Sequence, residues 1–342
     1  MNDMSAAKMN EPLKPADFAT DQEVRWCPGC GDYAILKCMQ RTLPDLGVTR
    51  ENTVFVSGIG CSSRFPYYMN TYGFHTIHGR APAIATGLKL ANNDLDVWVV
   101  TGDGDGLSIG GNHLMHALRR NVDLKILLFN NKIYGLTKGQ YSPTSDIGTR
   151  SPSTPDGSID PSLDPISFAL GANAPFVART VDTAQKHMPI VFTRAHQFKG
   201  TAFVEILQNC IVYNDDVWAK VTDKASAADN QLHLEHGKPM LFGKDNEKGI
   251  RFNPATFSLE VVTLGNGVDL EHIQVHDETS LPLAQMVARL GHKDGEPVAM
   301  GVLYAAPRGE TYTEAVLGRV ASAKGRRSLQ DIMKAGETWV VE

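Results

Sequence analysis

No apolar run in this sequence approaches the ~20 residues that a membrane-spanning helix needs, so a bilayer is not its expected environment. The segment Met1 to Asp21 lacks the apolar core of a secretory signal, and its Lys, Glu, Asp and Pro content reads as a flexible N-terminal arm, residues 1–21. Neither sign of charge is concentrated. The 33 basic and 38 acidic residues leave a net charge of −5 without a basic block, which removes the electrostatic footprint of a nucleic-acid binder. Cysteine is scarce, five in 342 residues, and does not make the disulfide framework of a small secreted domain. No internal repeat is visible. The expectation is a cytoplasmic chain, long enough for a large core without covalent staples, whose cysteines have some other role.

What is present is an alternation of strand and helix patterns. Trp26-Cys27-Pro28-Gly29-Cys30-Gly31-Asp32 forms a tight loop ahead of a helical pattern over Tyr33–Leu43, with Asp32 in the place of an N-cap. Thr53–Ser57 is β-branched and aromatic and ends in Gly58-Ile59-Gly60-Cys61. Helical patterns cover Ala81–Asn92 and Gly111–Arg120. Val97–Val100 and Leu124–Phe129 are continuous apolar runs, the mark of strands buried on both faces. Phe176–Arg179 and Thr201–Leu207 read as strands flanking a helix over Thr183–Gln197. Tyr141–Pro165 is rich in Ser, Thr, Pro, Asp and Gly, and a loop of that length inside a domain is usually functional or mobile. After Asp215 the pattern weakens to a helix over Leu281–Leu290 and an apolar run over Val298–Tyr304. Residues 22–215 are therefore read as the main domain and residues 216–342 as an irregular C-terminal extension.

Alternating strands and helices predict an α/β fold, a doubly wound, mostly parallel sheet with helices on both faces. In such sheets ligands bind beyond the carboxyl ends of the strands. Cys61, the Gly102–Gly106 loop, Asn130-Asn131 and Cys210 each follow a strand directly. Four segments thus converge on one sheet edge.

Cys27 and Cys30 form a Cys-x-x-Cys pair, while Cys61 and Cys210 stand alone at strand ends. Four thiolates can ligate zinc or an iron–sulfur cluster, and a single Cys-x-x-Cys is equally compatible with buried thiols or a thioredoxin-like pair. Gly29 and Gly31 leave backbone N–H groups free to turn toward cluster sulfides, and Pro28 stiffens the loop. Cys38 falls inside a helical pattern and reads as a buried, inert thiol. In Gly102-Asp103-Gly104 the glycines let the backbone approach a diphosphate. Asp103, the Asn131 side chain and a carbonyl near Ile133 offer hard oxygen ligands for Mg²⁺. Alone, Gly-Asp-Gly is usually a turn. Joined to Asn130-Asn131 at the end of the next strand, it resembles the thiamine diphosphate motif.

Several further segments occur in one order: Trp26-Cys27-Pro28-Gly29-Cys30-Gly31, Gly58-Ile59-Gly60-Cys61-Ser62, His78-Gly79-Arg80, Gly102-Asp103-Gly104, Asn131 through Ile133-Tyr134-Gly135-Leu136-Thr137-Lys138-Gly139-Gln140, and Tyr141-Ser142-Pro143-Thr144-Ser145. Together they resemble the β subunit of a 2-oxoacid:ferredoxin oxidoreductase, nearest the 2-oxoglutarate type, over about residues 22–215. The resemblance implies a thiamine diphosphate-binding fold and a [4Fe–4S] cluster on Cys27, Cys30, Cys61 and Cys210. It implies Mg²⁺ on Asp103, Asn131 and the Ile133 carbonyl, with Gly60, Cys61, Ser62, His78, Gly102, Gly104, Asp105, Gly135, Leu136 and Thr137 around the cofactor. The implied reaction is coenzyme A-dependent oxidative decarboxylation of a 2-oxoacid with reduction of ferredoxin, or its reverse. The carboxylate that activates the thiamine aminopyrimidine is implied to come from an α subunit, without which the chain is expected to be inactive, and an (αβ)₂ assembly is expected.

Three residues are candidates for direct work on the substrate. His78 lies just before a helix and can donate a proton or orient a group. Arg64 follows Cys61 closely and can face substrate or phosphate. Lys138 stands where pyruvate-type relatives tend to carry Gly, and it is expected to hold the distal carboxylate of 2-oxoglutarate. Two competing readings remain: a pyruvate-type, branched-chain or broad-specificity homologue, and a zinc-stabilised, non-redox binding subunit. His272, His276 and His292 have no ligand-like spacing.

Overall fold

The computed structural model describes residues 12–323, 328–337 and 339–341. The continuous apolar runs become the buried centre of an eight-stranded sheet. In chain order, α1 (Asp32–Asp45), β1 (Thr53–Ser57), β2 (Tyr72–His75), α2 (Ala81–Ala91), β3 (Asp96–Gly102), a short α3 (Asp103–Leu107), α4 (Gly111–Arg120) and β4 (Lys125–Asn130) form the first half. The second half opens with α5 (Pro165–Gly171), β5 (Phe176–Val181), α6 (Met188–Gln197) and β6 (Ala202–Leu207). There follow α7 (Ala219–Thr222), α8 (Ala227–Asn230), β7 (Gln231–His233), β8 (Leu241–Phe242), β9 (Lys248–Asn253), β10 (Ser258–Thr263), α9 (Leu281–Val287), β11 (Val298–Ala305) and α10 (Tyr312–Ser322).

The sheet order is β2-β1-β3-β4-β6-β5-β11-β7. The six strands from β2 to β5 are parallel, and β11 runs antiparallel to β5. Every residue of β1, β4, β5 and β6 is buried. Because side chains alternate across a pleat, Val97, Val99, Ile126, Leu128 and Phe203 pack into one apolar layer. Trp98, Val100, Leu127, Phe129, Val204 and Ile206 pack into the other, which α1 and α6 cover. This matches the expected doubly wound, mostly parallel sheet. No described helix is long and apolar enough to cross a membrane.

Four expectations need correction. Part of the N-terminal arm is docked: Pro15–Phe18 form a helical turn, Phe18 is fully buried, and its carbonyl accepts the Asn70 N–H at 2.9 Å. One aromatic anchor outweighs the polar composition around it; residues 1–11 lie outside the described residues. Gly31, not Asp32, caps α1, and the Asp32 side chain is buried. α6 starts at Met188, with Pro189 in its first turn, since proline is tolerated there and not farther in. Finally, the C-terminal extension is less irregular than expected. It completes the main sheet through β11 and β7, and β8–β10 form a small antiparallel sheet of their own.

The joint between this extension and the core contains His187. Its Nδ1 lies 3.0 Å from the Thr180 hydroxyl and its ring meets that of His233 edge-on at 4.9 Å. Burial, with a smaller push from His233, lowers its pKa to about 4. The unfolded chain takes up this proton near pH ~6.5, so the folded state loses stability as pH falls from there toward 4. At about 1.4 kcal/mol per unit the loss reaches roughly 3 kcal/mol. Urea unfolding at pH 7, 5.5 and 4 should show this decline, and His187→Gln should flatten it. An unchanged slope in the variant would remove His187 as the cause.

Candidate functional site

Beyond the carboxyl ends of β1, β3, β4 and β6 the chain opens into loops that line a partly open cavity. Gly60, Cys61, Ser62, His78, Gly102, Asp103, Gly104, Asp105, Asn131, Ile133, Gly135, Leu136 and Thr137 all border it. Three of the four segments inferred to converge thus border it, and Cys210 lies against Gly135 in its wall.

Asp103 is buried, and one of its carboxylate oxygens accepts the hydroxyls of Ser142 at 2.5 Å and Thr144 at 2.6 Å. The start of the long Tyr141–Pro165 loop thus serves to clamp this carboxylate. Burial lifts its pKa to about 6, against the opposing hydrogen bonds. Among the described residues no Lys, Arg or His lies within ion-pair distance of it. A buried anion without a countercharge is costly, and a divalent cation relieves that cost.

The two asparagines have different roles. Asn130 is buried and bonded to Glu205 and Thr144, so it belongs to the framework. Asn131 borders the cavity; its side-chain carbonyl accepts the Ile133 N–H at 3.2 Å and its amide donates to Gln208 at 2.8 Å. Tyr134 closes the arrangement by donating its hydroxyl to the Gly104 carbonyl at 2.9 Å. A Cβ at residue 104 would collide with the Tyr134 ring, so glycine is needed there for close approach. Asp105 borders the cavity but is engaged in tying the loops together. It accepts N–H groups of Ile59 at 3.1 Å and Gly79 at 2.8 Å, and the Thr101 hydroxyl at 2.7 Å. His78 sits beside it, Nδ1 to carboxylate 3.5 Å, with its side chain 55% exposed.

Cys61 and Cys210 flank Gly135: a Cβ there would stand 3.6 and 3.5 Å from their sulfurs. The cation-side loop therefore touches the cysteine site directly. Cys30 reaches the same place because the Gly31 N–H donates to the Asn209 carbonyl at 3.2 Å. That N–H is thereby engaged with backbone, contrary to the expectation that it is free. The Trp26 indole donates to the Cys61 carbonyl at 2.7 Å. Cys27 is exposed, Cys30, Cys61 and Cys210 are partly buried, and Cys38 is buried apart from them in the α1 packing layer. Burial, reinforced by Asp32, raises the thiol pKa of Cys30 strongly and pushes that of Cys61 up to about 12. Such thiols stay protonated unless a metal displaces the proton. Among the described residues no three of the cysteine sulfurs lie within 4.8 Å of one another. Four thiolates at about 2.3 Å from one zinc would sit roughly 3.8 Å apart. The four sulfurs therefore do not stand in the close tetrahedral set of a single bound zinc ion.

Five further residues at the cavity were not among the predicted site residues: Asp32, Ile59, Phe129, Tyr134 and Gln208. Both carboxylate oxygens of Asp32 lack a hydrogen-bond partner, and burial together with Asp182 lifts its pKa to about 7. Gln208 was legible in principle, since it follows a strand immediately, as Asn131 does. The two substrate candidates separate. Arg64 and His75 border a second, open cavity that shares Ile59, Gly60 and Leu136 with the first. Lys138 is exposed and has a left-handed backbone, φ +76°. The lysine that pairs with Asp146 is Lys132, at 2.7 Å.

A family model described as "Thiamine pyrophosphate enzyme, C-terminal TPP binding domain" matches residues 58–206. The chain is 49% identical over 340 residues to the 2-oxoglutarate oxidoreductase subunit KorB of Mycobacterium tuberculosis, covering 97% of this chain and 90% of that protein. It is 39% identical over 218 residues to the 2-oxoglutarate synthase subunit KorB of Methanocaldococcus jannaschii, covering 63% of this chain and 81% of that protein. The fold superposes with TM-score 0.75 and 31% identity on a chain of the 2-oxoglutarate:ferredoxin oxidoreductase from Magnetococcus marinus, solved with 2-oxoglutarate, coenzyme A and succinyl-CoA bound. The match covers 97% of this chain and 98% of that one.

Proposed function

Because the chain belongs to the β-subunit family of 2-oxoacid:ferredoxin oxidoreductases, we propose that it is the thiamine diphosphate- and [4Fe–4S]-binding β subunit of a 2-oxoglutarate:ferredoxin oxidoreductase. It works with an α subunit in the coenzyme A-dependent conversion of 2-oxoglutarate to succinyl-CoA and CO₂, with ferredoxin as the electron acceptor, or in the reverse direction. The observation that carries this reading is near-complete coverage of a 2-oxoglutarate oxidoreductase subunit at 49% identity, joined to a cavity that gathers the cofactor motifs and Cys61, with Cys210 against its Gly135 wall. We place the protein in the cytoplasm and in an (αβ)₂ assembly. An exposed apolar edge beside the cavity, with Tyr67, Tyr72, Phe74 and Ile77, supports burial against a partner subunit.

Asp103, the Asn131 side-chain carbonyl and the Ile133 carbonyl are the proposed ligands of the Mg²⁺ that holds the diphosphate, with Gly102 and Gly104 giving the backbone access. Cys27, Cys30, Cys61 and Cys210 are the proposed cluster ligands, and their sulfurs do not stand in the close set that the zinc alternative needs. When bound, thiamine diphosphate supplies an electron sink for decarboxylation and the cluster accepts electrons singly. Around them the chain's own residues set geometry. Asp105 fixes the Gly58–Ile59 and His78–Gly79 segments, which leaves the half-exposed His78 imidazole at the cavity rim, placed to move a proton. The activating carboxylate comes from the α subunit.

The distal carboxylate of 2-oxoglutarate is assigned to Arg64, which borders the second cavity, with Lys138 as the other cation. A charged hydrogen bond is worth about 1.5–3 kcal/mol, roughly ten- to over a hundred-fold in discrimination. The α/β complex, purified anaerobically, should reduce methyl viologen with 2-oxoglutarate and coenzyme A. Arg64→Ala or Lys138→Ala should lower kcat/KM for 2-oxoglutarate by that factor while sparing pyruvate and 2-oxobutyrate. An equal fall for all three acids would remove that residue as a selector, and a preference of the unaltered complex for pyruvate would favour the pyruvate-type reading.

A further inference from the structure

We propose that Gln208 is a positioning residue that links the Mg²⁺ ligand Asn131 to the cluster ligand Cys30, fixing the orientation of one and tuning the other. The inference rests on the cofactor reading above. It starts from sheet register. Asn130 and Leu207 are the last paired residues of β4 and β6, and the Gln208 N–H continues the ladder to the Asn130 carbonyl at 3.0 Å. Asn131 and Gln208 are thus the next row across two adjacent parallel strands, where side chains leave on the same side.

The Gln208 side chain is nearly fully buried, 1% exposed, and all its hydrogen-bonding groups are engaged. Its carbonyl accepts the Asn131 amide at 2.8 Å. Its amide donates to Cys30 Sγ at 3.3 Å and to the Asn209 carbonyl at 2.5 Å. This arrangement has one direction only. Rotating the amide by a half-turn would set two N–H donors of Gln208 and Asn131 against each other and turn an oxygen toward a sulfur and a carbonyl. Since an amide's two ends are otherwise nearly alike in shape, the bond from Gln208 also decides which end of Asn131 faces it. The nitrogen of Asn131 points to Gln208, and the oxygen is left on the side of the Ile133 N–H and the cavity.

At the other end, the Gln208 N–H points at a sulfur that becomes a thiolate when ligated. Hydrogen bonds to cluster sulfurs are among the factors that set cluster potential, because they stabilise the more negatively charged, reduced state. One buried amide therefore bridges the two centres between which electrons must pass. A group that only filled space there would not need a donor at one end and an acceptor at the other.

Two substitutions in the α/β complex separate the two ends. Gln208→Glu keeps an acceptor opposite Asn131 but removes the donor to Cys30. Gln208→Met removes both. In redox titrations followed by EPR, both variants should shift the cluster's reduction equilibrium toward the oxidised form by about tenfold or more, a fall of 59 mV for a one-electron couple. Iron content should be unchanged. Calorimetry with Mg²⁺ and thiamine diphosphate should show near-normal affinity in the Glu variant and at least tenfold weaker binding in the Met variant. Should the Met variant fail to fold, the Glu variant's potential alone decides. An unchanged potential in the iron-replete Glu variant overturns the inference, and so does iron loss from it, since the bond tunes the cluster and does not hold it. An unaltered complex without a cluster signal overturns the cofactor reading instead, which marks that failure apart.

Discussion

Replacing Cys210 with alanine should strip the complex of most of its iron and acid-labile sulfide, whereas Cys38→Ala should leave both intact. Cys210 follows β6 within three residues, and its sulfur faces Cys61 across Gly135. Its loss removes one of the four proposed ligands and leaves Cys30 and Cys61 in an environment where burial, reinforced by Asp32, keeps thiols protonated. Cys38 lies at the helix α1 interface, its sulfur 3.9 Å from the Thr42 hydroxyl, and burial raises its thiol to about 11. It is therefore inert packing, and its truncation should cost stability only, by the loss of a small buried group. Metal analysis on both variants and the unaltered complex reads the result. Equal iron loss in the two variants, or zinc in place of iron in the unaltered complex, would sink the ligand assignment.

The sheet and most of the cofactor cavity were legible because buried parallel strands are written as continuous apolar runs and because ligands collect where such strands end. Val97–Val100 and Leu124–Phe129 announced β3 and β4, and the residues just after them were correctly placed at one edge. Single side chains that act against their local composition were not legible. Phe18 anchors a polar segment, and nothing near it in sequence reveals the pocket that receives it. The apolar run at Val298–Tyr304 is visible, but its partner β5 lies more than a hundred residues away, and its antiparallel pairing breaks the parallel pattern. Asp105 looked like a cofactor contact because it sits in Gly-Asp-Gly-Asp-Gly. Only the fold shows that its Oδ1 accepts the Ile59 and Gly79 N–H groups. Lys138 is the instructive case. Its φ of +76° is a conformation that glycine takes more readily than lysine, so the residue there answers to the backbone as well as to any substrate.

Asp103→Ala should abolish binding of thiamine diphosphate and Mg²⁺ while the cluster remains, the largest loss expected of any single substitution at this site. Its carboxylate is the only charged group among the three proposed Mg²⁺ ligands, and without it the diphosphate is neutralised poorly. The proposed cluster ligands come from the loops after β1 and β6 and the loop before α1, so iron content should not change. The sign of the stability effect separates this role from a structural one. In the cofactor-free chain Asp103 is a buried carboxylate with a pKa raised to about 6 by burial. At pH 7 its charge opposes folding, which the two hydroxyl bonds only partly offset. Asp103→Asn keeps an acceptor for Ser142 and Thr144 and removes that charge, so the cofactor-free variant should melt no lower than the parent. Ligand then reverses the order. At a hundred times the dissociation constant, binding stabilises the parent by about 2.7 kcal/mol, and both variants should gain almost none of it. Thermal melts with and without Mg²⁺ and thiamine diphosphate measure the difference directly. Should either variant retain the ligand-induced rise, Asp103 would not be the residue that holds the ion, and the reading of the Gly102-Asp103-Gly104 turn would fail with it.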